Sequence, residues 1–338
     1  MDIGIAFDLK SDFVAPAGAP DDVLEEYDSE RTVAAIEAAL VRRGHRVRRM
    51  GGGKRFLALL LSEPPDLVFN LAEGRGSRSR EAHVPAACEM VGVACTHSDP
   101  ATLALALDKA LAKRVVAAAG VAVARDRVVR SAADLAAFDL PFPCIAKPMF
   151  EGSSMGVRAS SKSRDAAELA REVERVVVGY SQPALVEEFL TGPEFTVAIL
   201  GEGDGARVLA SMEIFPKGDA TADFVYSVEV KRIWDERVEY HVPPRRPPAV
   251  IAAVERLALV SYRALQCRDV GRVDVRMGGD QVPRFIELNP LPGINPGWSD
   301  LCVMAERIGI DHDALVGTIL DETLQRLERR LGRRLGRR

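Results

Sequence analysis

The sequence lacks three features: an excess of charge of one sign, paired cysteines and a long apolar run. Its 45 basic and 49 acidic residues give a net charge of −4, which offers no electrostatic reason to expect a nucleic acid or a membrane surface as a partner. No segment approaches the ~20 continuous apolar residues that a membrane-spanning helix needs. The N-terminus has no basic region followed by an apolar run, so we expect no signal peptide.

The cysteines are odd in number, scattered along the chain and never arranged as CxxC. They are Cys88, Cys95, Cys144, Cys267 and Cys302. This pattern is typical of buried, reduced thiols that pack as small apolar side chains. We therefore expect a cytoplasmic protein.

Two common catalytic signatures are also missing. No GxxxxGK[ST] phosphate loop is present, and the nearest lookalike is GGGK at residues 51–54. There Arg55 stands in place of the magnesium-binding hydroxyl, and no helix is well marked after it, so we expect a tight turn. No Ser–His–Asp or Cys–His arrangement predicts a nucleophilic side chain.

The alternation of apolar runs and helical patterns predicts an α/β (α+β) protein of two or three packed units. Residues 1–98 have the strand–helix alternation of a parallel, doubly wound domain. Residues 99–190 have the pattern of a small α+β subdomain, and residues 191–328 that of a subdomain built on antiparallel strands. A basic tail follows at residues 329–338.

Three segments carry more specific expectations. Residues 99–119 read as one long helix, since no break interrupts the helical pattern before Gly120. Residues 216–247 are polar and proline-dotted, which predicts a long loop with a strand at its end. We expect the basic tail to be a frayed, solvated end, and an anionic tether is the alternative.

The stretch FPCIAKPMFEGSSMGV, residues 142–157, places Lys147 inside an apolar strand just before a run of small residues. Glycines and serines at 152–156 form a flexible loop whose N–H and hydroxyl groups can close over anionic oxygens. Lys147 would then supply a positive charge beneath the loop. The pattern indicates a polyphosphate site, and a hairpin turn with a solvent-exposed lysine is the alternative.

A second group of polar residues lies on two apolar strands, in RVDVR and FIELNPLPG. Glu287 and Asn289 are two residues apart and so face the same side of one strand, while Asp274 lies on the other. Two carboxylates and an amide oxygen suit magnesium ions. A pair of surface strands with polar outer faces is the alternative, but the apolar neighbours favour buried carboxylates that need a cation.

The stretch ALVEEFLTGPEFTVAIL, residues 184–200, reads as a strand, a Gly-Pro break and a second strand. A hinge of this form between two sheets can hold a flat heterocycle, and a simple interdomain corner explains the pattern equally well. In the first case the backbone of Glu188 and Leu190 would contact adenine, and Glu194 would accept the ribose hydroxyls.

Five motifs in the same order resemble the ATP-grasp ligases, specifically the D-alanine–D-alanine ligases. They are DKALAKRVVAAAGV, FPCIAKPMFEGSSMGV, ALVEEFLTGPEFTVAILG, GRVDVR and FIELNPLPGINP. The resemblance is collinear from about residue 98 to 321, and the first hundred residues match only in general shape. It implies an ATP-grasp fold with an N-terminal pre-grasp domain.

The resemblance also implies the chemistry of a cytoplasmic carboxylate–amine ligase that acts on small amino acids. ATP would phosphorylate one carboxylate to an acyl phosphate, and the amine of a second amino acid would displace phosphate. No nucleophilic side chain is needed for this route. Cell-wall and peptide-metabolite synthesis are both open as pathways, and a homodimer is common in enzymes that resemble this sequence.

The site residues follow from the same resemblance. The nucleotide phosphates would be held by Lys109, Lys147, Ser153 and Ser154, and by Lys231 at the γ-phosphate. Adenine would lie along Glu187, Glu188 and Leu190, with the ribose on Glu194. Two Mg²⁺ ions, or Mn²⁺ as the alternative, would be bound by Asp274, Glu287 and Asn289. The catalytic set would be Arg272, the N–H of Gly293, Ser153 and Lys231, the first two facing the tetrahedral oxyanion.

The sequence departs from the family in the amino-acid half of the site. The glutamate that holds the first ammonium is missing from AFDLKSDFVAPAG, and its alternatives are Asp8, Asp12, Glu26 and Asp28. The family's His-Gly-x-x-Gly-Glu-Asp segment is replaced by NLAEGRGSRSREAHVP, which offers Glu73, Arg80 and Glu81.

Two further departures concern the second substrate. Arg232 stands where the family has a tyrosine, and either alters the pocket or pairs with a nearby acid. NPGWSD offers Ser299 for the second carboxylate and Trp298 as a new wall. We therefore expect a ligase with D-alanine as the leading substrate. The alternatives are other amino acids, a non-catalytic ATP-binding protein, and an ATP-grasp enzyme of different chemistry.

Overall fold

The computed structural model of the protein describes residues 1–218 and 222–332. The strands of this part of the chain form three sheets, one parallel and two antiparallel. Most of the basic tail, residues 333–338, lies outside the described residues. The predicted mixed α/β architecture is confirmed.

The first sheet is parallel and has the strand order β2-β1-β3-β4. Its strands are β1 (Asp2–Ala6), β2 (Arg46–Gly51), β3 (Leu67–Asn70) and β4 (Ala94–Cys95). The helices packed on it are α1 (Glu30–Arg42), α2 (Gly53–Ser62) and α3 (His83–Val91). Alternate strand residues face opposite sides, so α1 covers one face of the sheet while α2 and α3 cover the other.

The expected turn lies at Gly51 and Gly52, between β2 and α2, but the helix that begins at Gly53 was not predicted. The helix nevertheless offers no phosphate site at its N-terminus. The Asp8 carboxylate lies there, with Oδ1 2.1 Å from where a Cβ on Gly52 would stand. Gly52 is therefore required for the close approach of an acid, which repels phosphate.

The second sheet is antiparallel, in the order β5-β8-β6-β7, and has a core of its own beneath one helix. Its strands are β5 (Asp126–Val129), β6 (Cys144–Pro148), β7 (Lys162–Ser163) and β8 (Ala184–Glu188). The helices of this region are α4 (Pro100–Leu107), α5 (Lys109–Ala118) and α6 (Ala166–Tyr180).

The helical run predicted over residues 99–119 is interrupted at Asp108, between α4 and α5. Asp108 has extended backbone, and its carboxylate accepts a hydrogen bond from the Leu111 N–H at 3.0 Å. It is thus the N-cap of α5 and starts a new helix. The interruption places Lys109 in the first turn of α5.

The third sheet is antiparallel, in the order β11-β10-β9-β12-β13. Its strands are β9 (Glu194–Leu200), β10 (Arg207–Pro216), β11 (Val238–His241), β12 (Val270–Met277) and β13 (Pro283–Asn289). The helices are α7 (Val228–Arg232), α8 (Trp234–Arg237), α9 (Pro248–Ala264), α10 (Asp300–Arg307) and α11 (His312–Leu331). The segment predicted as a long loop therefore contains α7 and α8, and α10 was not predicted.

The first and third sheets share one hydrophobic core. Ile3 and Ile5 of β1 and Ile36 of α1 belong to the same buried cluster as Met212 of β10 and Leu315 of α11. Helices α10 and α11 therefore pack between the N-terminal domain and the C-terminal sheet. The second sheet has a separate core, so it is the only one of the three that does not contribute to this shared interior.

Within the described residues, none of the helices combines the length and apolar character needed to cross a bilayer. The cysteines are buried and unpaired, as their scatter in the sequence predicted.

Candidate active site

Three adjoining cavities lie where the second and third sheets meet the N-terminal domain. The hinge cavity, about 830 Å³, is lined by Lys147, Glu187, Leu190 and Glu194 among others. The glutamate cavity, about 620 Å³, is lined by Glu26, Glu73, Glu81 and the segment 287–293. The tryptophan cavity, about 680 Å³, is lined by Arg232, Trp234, Trp298 and Asp300.

A few residues line two of these cavities at once and so mark where the cavities meet. Lys109 lines the hinge and glutamate cavities, and Lys231 lines the hinge and tryptophan cavities. Ser153, Arg272 and Gly293 line the glutamate and tryptophan cavities. Every residue predicted to bind the nucleotide or the metal, or to act in catalysis, lies on the wall of at least one of the three.

The hinge cavity exists because the chain passes from β8 of the second sheet to β9 of the third through a tight Gly-Pro break. A Cβ on Gly192 would lie 2.7 Å from the Met277 carbonyl oxygen, so only glycine permits this approach. The N–H of Glu188 donates to the Arg125 carbonyl at 3.0 Å. Glu188 and Leu190 both line the cavity.

A buried ion triad forms the floor of the hinge cavity. The Glu187 carboxylate lies 2.5 Å from the ammonium of Lys147 and 2.5 Å from that of Lys113. Burial alone would raise the pKa of Glu187, but the two lysines outweigh it and lower that pKa to about 2. Glu187 thus keeps Lys147 charged at the point where the resemblance places a phosphate.

Lys113 was not predicted as a site residue, although its spacing from Lys109 indicates that role. It follows Lys109 by one helical turn on α5, so both side chains face the same side of the helix.

The loop over the hinge cavity is held by contacts to two other parts of the chain. Ser153 and Ser154 have φ of 48° and 60°, a backbone that residues other than glycine rarely adopt. The Ser154 hydroxyl donates to the Tyr226 carbonyl at 3.1 Å, and the Gly152 N–H donates to Glu26. These contacts hold the loop closed over the cavity.

The predicted metal ligands lie on β12 and β13, where Asp274 pairs with Glu287 across the ladder and Arg272 pairs with Asn289. Arg272 donates to both Asp274 oxygens at 3.1 Å, and Lys109 lies 3.2 Å from Glu287. Burial opposes ionisation of Glu287, but Lys109 and other nearby cations lower its pKa to about 2.

Glu287 is therefore an ionised, partly buried carboxylate beside a second carboxylate and an amide. This donor set fits a hard divalent cation, whose ligands in proteins are oxygen atoms. The described residues contain no group of three or more histidine, cysteine or acidic side chains that could form another metal site.

Glu194 lies at the start of β9 and pairs with Arg276, with Nη1 3.2 Å from Oε2. Arg276 also lies over the Phe189 ring, 4.7 Å from its centroid. Burial raises the pKa of Glu194 even though the charge of Arg276 acts against it. Arg276 was missed, but it follows Asp274 by two residues and so faces the same side of β12.

Around the oxyanion candidates, Arg272 also approaches Asp300, with Nη1 3.7 Å from Oδ2. A Cβ on Gly293 would lie 3.0 Å from the Ser299 hydroxyl oxygen. That oxygen accepts a hydrogen bond from the Asn295 N–H at 2.9 Å. Ser299 and the Gly293 backbone are thus neighbours at the wall of the tryptophan cavity.

Arg232 adopts the second of its two predicted roles and pairs with acids. It lies 2.7 Å from Asp21 and 2.6 Å from Glu25. Trp298 is 48% exposed and forms an outer wall of the tryptophan cavity.

Of the four acids considered as the holder of the first ammonium, Glu26 lines the glutamate cavity. Asp12 is exposed, and Asp8 accepts a hydrogen bond from the Gly74 N–H at 2.9 Å instead. Burial raises the pKa of Asp28 to about 7, and the charge of Asp8 adds to this effect. Asp8, Asp12 and Asp28 do not line the cavity.

Comparison with known proteins identifies the family. The model for the C-terminal part of D-alanine–D-alanine ligases matches residues 116–321, more than half of the chain. The protein belongs to the D-alanine–D-alanine ligase family. This confirms the predicted resemblance and identifies the protein as an ATP-dependent carboxylate–amine ligase of the D-alanine–D-alanine ligase type.

Individual relatives extend the match to most of the chain. A D-alanine–D-alanine ligase of Caulobacter sp. is 33% identical over 297 residues, covering 87% of this chain and 88% of the relative. A Sinorhizobium fredii protein named y4sG, described only as uncharacterized, is also 33% identical, over 310 residues, with 88% of each chain covered.

Solved structures confirm the fold. A Bacillus anthracis D-alanine–D-alanine ligase crystallised with ATP superposes with a TM-score of 0.73 at 19% identity. The superposition covers 98% of this chain and 99% of the other, so the first hundred residues share the fold as well.

Proposed function

We propose that the enzyme joins the carboxylate of one amino acid to the amine of another through an acyl phosphate, using ATP and releasing ADP and phosphate. The observation that carries this proposal is that three cavities adjoin one another. The glutamate and tryptophan cavities share Ser153, Arg272 and Gly293, while the hinge cavity shares Lys109 with the first and Lys231 with the second. The hinge cavity suits a nucleotide, and the two others adjoin it on different sides. A ligase needs this arrangement because three reactants must meet at one carbon.

In the first step the protein positions charges rather than supplying a nucleophile. Lys147 and Lys109 bind the nucleotide phosphates from the floor of the hinge cavity, and Lys231 binds from α7. The N–H and hydroxyl groups of the loop at Ser153 and Ser154 cover the same phosphates. Adenine lies against Glu187, Glu188 and Leu190, and Glu194 accepts from the ribose hydroxyls.

The metal site consists of Asp274, Glu287 and Asn289, and we propose that it binds two Mg²⁺ ions, with Mn²⁺ as a substitute. Bound ions would neutralise phosphate oxygens during transfer. In this structure the charge of Asp274 is neutralised by Arg272, and that of Glu287 by Lys109.

In the second step an amine attacks the acyl phosphate and an oxyanion develops at the former carbonyl. The Arg272 guanidinium and the Gly293 N–H donate hydrogen bonds to it. Asp274 and Asp300 on either side of Arg272 hold the guanidinium in place. Loss of one such donor costs a factor of about 10²–10³ in rate.

D-alanine is the leading substrate because the named relatives are D-alanine–D-alanine ligases. A specific observation favours the second candidate, a ligase for other amino acids. The tryptophan cavity carries Arg232 and Trp298 where the family has a tyrosine and a serine-containing segment. A non-catalytic ATP-binding protein is the third candidate, and the intact metal ligands and Arg272 disfavour it.

The test is ADP release in the presence of Mg²⁺, first with D-alanine alone and then with a panel of amino acids. We expect the Arg272→Ala variant to bind ATP but to lose activity by about 10²–10³-fold. Arg263→Ala is the matched control, because Arg263 lies on the surface of α9 and donates to the Gly203 carbonyl. Absence of ADP release with every amino acid would overturn the proposal.

We also propose a cytoplasmic location, where ATP is supplied and the buried thiols stay reduced, and a homodimeric state. Light scattering on the purified protein tests the second point, since a single 36.7-kDa species would exclude the dimer.

A further inference from the structure

Two carboxylates of the glutamate cavity have no partner. Glu81 is only 7% exposed, and its side chain makes no hydrogen bond or ion pair in the part of the chain that the structure describes. Glu73 also lines the cavity, and the described residues give it no such contact either. Glu73 is half-buried, whereas Glu81 is more than nine-tenths buried. A carboxylate as buried as Glu81 is costly without a partner, which indicates that a ligand completes this site.

The third carboxylate of the cavity, Glu26, already has an ion-pair partner and a hydrogen-bond donor. It lies 2.6 Å from Arg80 and accepts the Gly152 N–H of the loop. Arg80 in turn lies 3.0 Å from Glu151 and donates to the Phe150 carbonyl at 2.7 Å. The charge of Glu26 is thus balanced, and its role is to tie the loop to the N-terminal domain.

The cationic side chains of the cavity also form ion pairs with other carboxylates. Lys109 pairs with Glu287, and Arg272 pairs with Asp274. Burial raises the pKa of Glu81 to about 8, and the charge of Glu26 adds to this, although the charges of Arg80 and Lys109 act against it. Burial also raises the pKa of Glu73, and the charge of Glu81 adds to it. A pair of carboxyls in this state ionises when cations enter.

One part of the remaining wall of the glutamate cavity is apolar. It consists of Ala106, Leu107, Leu288, Leu291 and the prolines Pro290 and Pro292, whereas Ser153 and Asn289 are polar residues of the same wall. A methylene chain packs well against such a wall while its charged end reaches a carboxylate.

We propose that the amino acid activated in the glutamate cavity carries a second amino group at the end of its side chain, as 2,4-diaminobutyrate, ornithine and lysine do. Glu73 and Glu81 bind its two ammonium groups, one at the α-carbon and one at the side-chain end. The inference rests on the proposed ligase function, because it assigns the activated carboxylate to the cavity that shares Lys109 and Glu287 with the hinge cavity.

The test compares ADP release with ornithine, lysine, norleucine and alanine in both enantiomeric forms, each alone and with D-alanine as the second amino acid. Norleucine is the matched substrate control, since it has the length of lysine without the second charge. We expect kcat/KM to be about 10- to 100-fold higher for a diamino acid than for norleucine. This is the effect of one buried, charge-assisted hydrogen bond, here between the side-chain ammonium and a glutamate.

The variants Glu73→Gln and Glu81→Gln separate charge recognition from a structural role. We expect the variant at the glutamate that binds the side-chain ammonium to lower kcat/KM for the diamino acid at least tenfold, with little change for norleucine. The variant at the glutamate that binds the α-ammonium is expected to lower kcat/KM for both substrates. Glu89→Gln is the matched control, because Glu89 is exposed on α3 and undergoes the same chemical change. Thermal unfolding shows whether the variants fold, and with two variants at independent positions the test survives the loss of one.

The outcomes distinguish this inference from the proposed function. If alanine or norleucine is turned over at least as fast as every diamino acid, the assignment of a diamino acid as the substrate is overturned, while the proposed ligase function stands. An unchanged preference in both glutamine variants also overturns it. No ADP release with any amino acid overturns the ligase itself, and the assignment with it.

Discussion

At the scale of single residues, the site is organised by buried charges that neutralise one another before any substrate binds. Lys113, Lys147 and Glu187 form the clearest case, with both N–O distances at 2.5 Å and all three side chains almost fully buried. Removing one member of such a group leaves the others uncompensated in a medium of low polarity.

We predict that Glu187→Gln lowers the free energy of unfolding by about 3–5 kcal/mol, because it leaves the buried Lys147 ammonium without its paired carboxylate and the Lys113 ammonium with Asp126 alone, 3.1 Å away. Urea denaturation measures this change. The control is Glu188→Gln, which alters the next residue, a partly exposed one, and is expected to change stability by less than about 0.5 kcal/mol. Equal effects of the two variants would contradict the role of the triad.

Asp28 gives a prediction about pH. Its pKa is raised to about 7 in the folded protein from an ordinary value of 3.8. Between these values the folded state holds a proton that the unfolded state has released, so the stability of the wild type falls as pH rises from 4 to 7. The Asp28→Asn variant has no titrating carboxyl at this position, so this fall in stability with pH is absent from it.

We therefore expect Asp28→Asn to be more stable than the wild type at pH 8, by up to about 4 kcal/mol, and to give no such gain at pH 4. Urea denaturation at the two pH values tests it. A stability difference that does not depend on pH would show that Asp28 is ionised throughout.

Sequence reasoning reached the residues that stand in motifs and missed those that act through distant partners. Lys147, Asp274 and Glu287 were found because a charged residue in an apolar strand is unusual. Arg80 was named from the sequence, but its pairing with Glu26 and Glu151, which come from other parts of the chain, was not predicted. Pairing at that distance leaves no local pattern to read.

At the scale of elements, helix boundaries decide where site residues point. Asp108 is the single residue between α4 and α5, and it caps α5. Lys109 therefore lies in the first turn of α5, beside Glu287. The sequence did not predict this break because alanine and leucine, both strong helix formers, continue on each side of it. Helix α10 was missed for the opposite reason, since residues 295–299 contain turn formers that hide its start.

We predict that Asp108→Ala lowers the free energy of unfolding by about 1 kcal/mol and raises KM for ATP several-fold, because Lys109 loses its fixed position. Asp165→Ala is the matched control: Asp165 caps α6 in the same way, accepting from the Glu168 N–H at 2.8 Å, but does not line any of the three cavities. It is expected to lose similar stability with KM unchanged. Unfolding curves and steady-state kinetics measure the two effects.

At the scale of the whole molecule, three regions are joined by a surface ion network at the mouth of the site. Arg158 follows the loop and lies 2.9 Å from Asp22 and 2.9 Å from Glu229 of α7. Arg232 of α7 lies 2.7 Å from Asp21 of the N-terminal domain. The network holds the loop, α7 and the N-terminal segment together over the cavities.

We predict that Arg232→Ala raises KM for the amino acids several-fold and makes activity less sensitive to salt between 50 and 500 mM, because exposed pairs are screened by ions. Stability should change by less than about 1 kcal/mol. Arg42→Ala is the control, since it removes a surface pair with Asp313 that is distant from the site. Kinetics at two salt concentrations test the prediction, and equal KM values for the Arg232→Ala and Arg42→Ala variants would contradict it.

The core shared by β1, α1 and α11 has a consequence for biosynthesis. The N-terminal sheet needs side chains from α11 to complete its interior, so it cannot reach its final packing until residues 312–331 have been synthesised. The second sheet carries its own core under α6 and does not depend on that helix. We therefore expect the middle of the chain to complete its packing during synthesis before the N-terminal domain does.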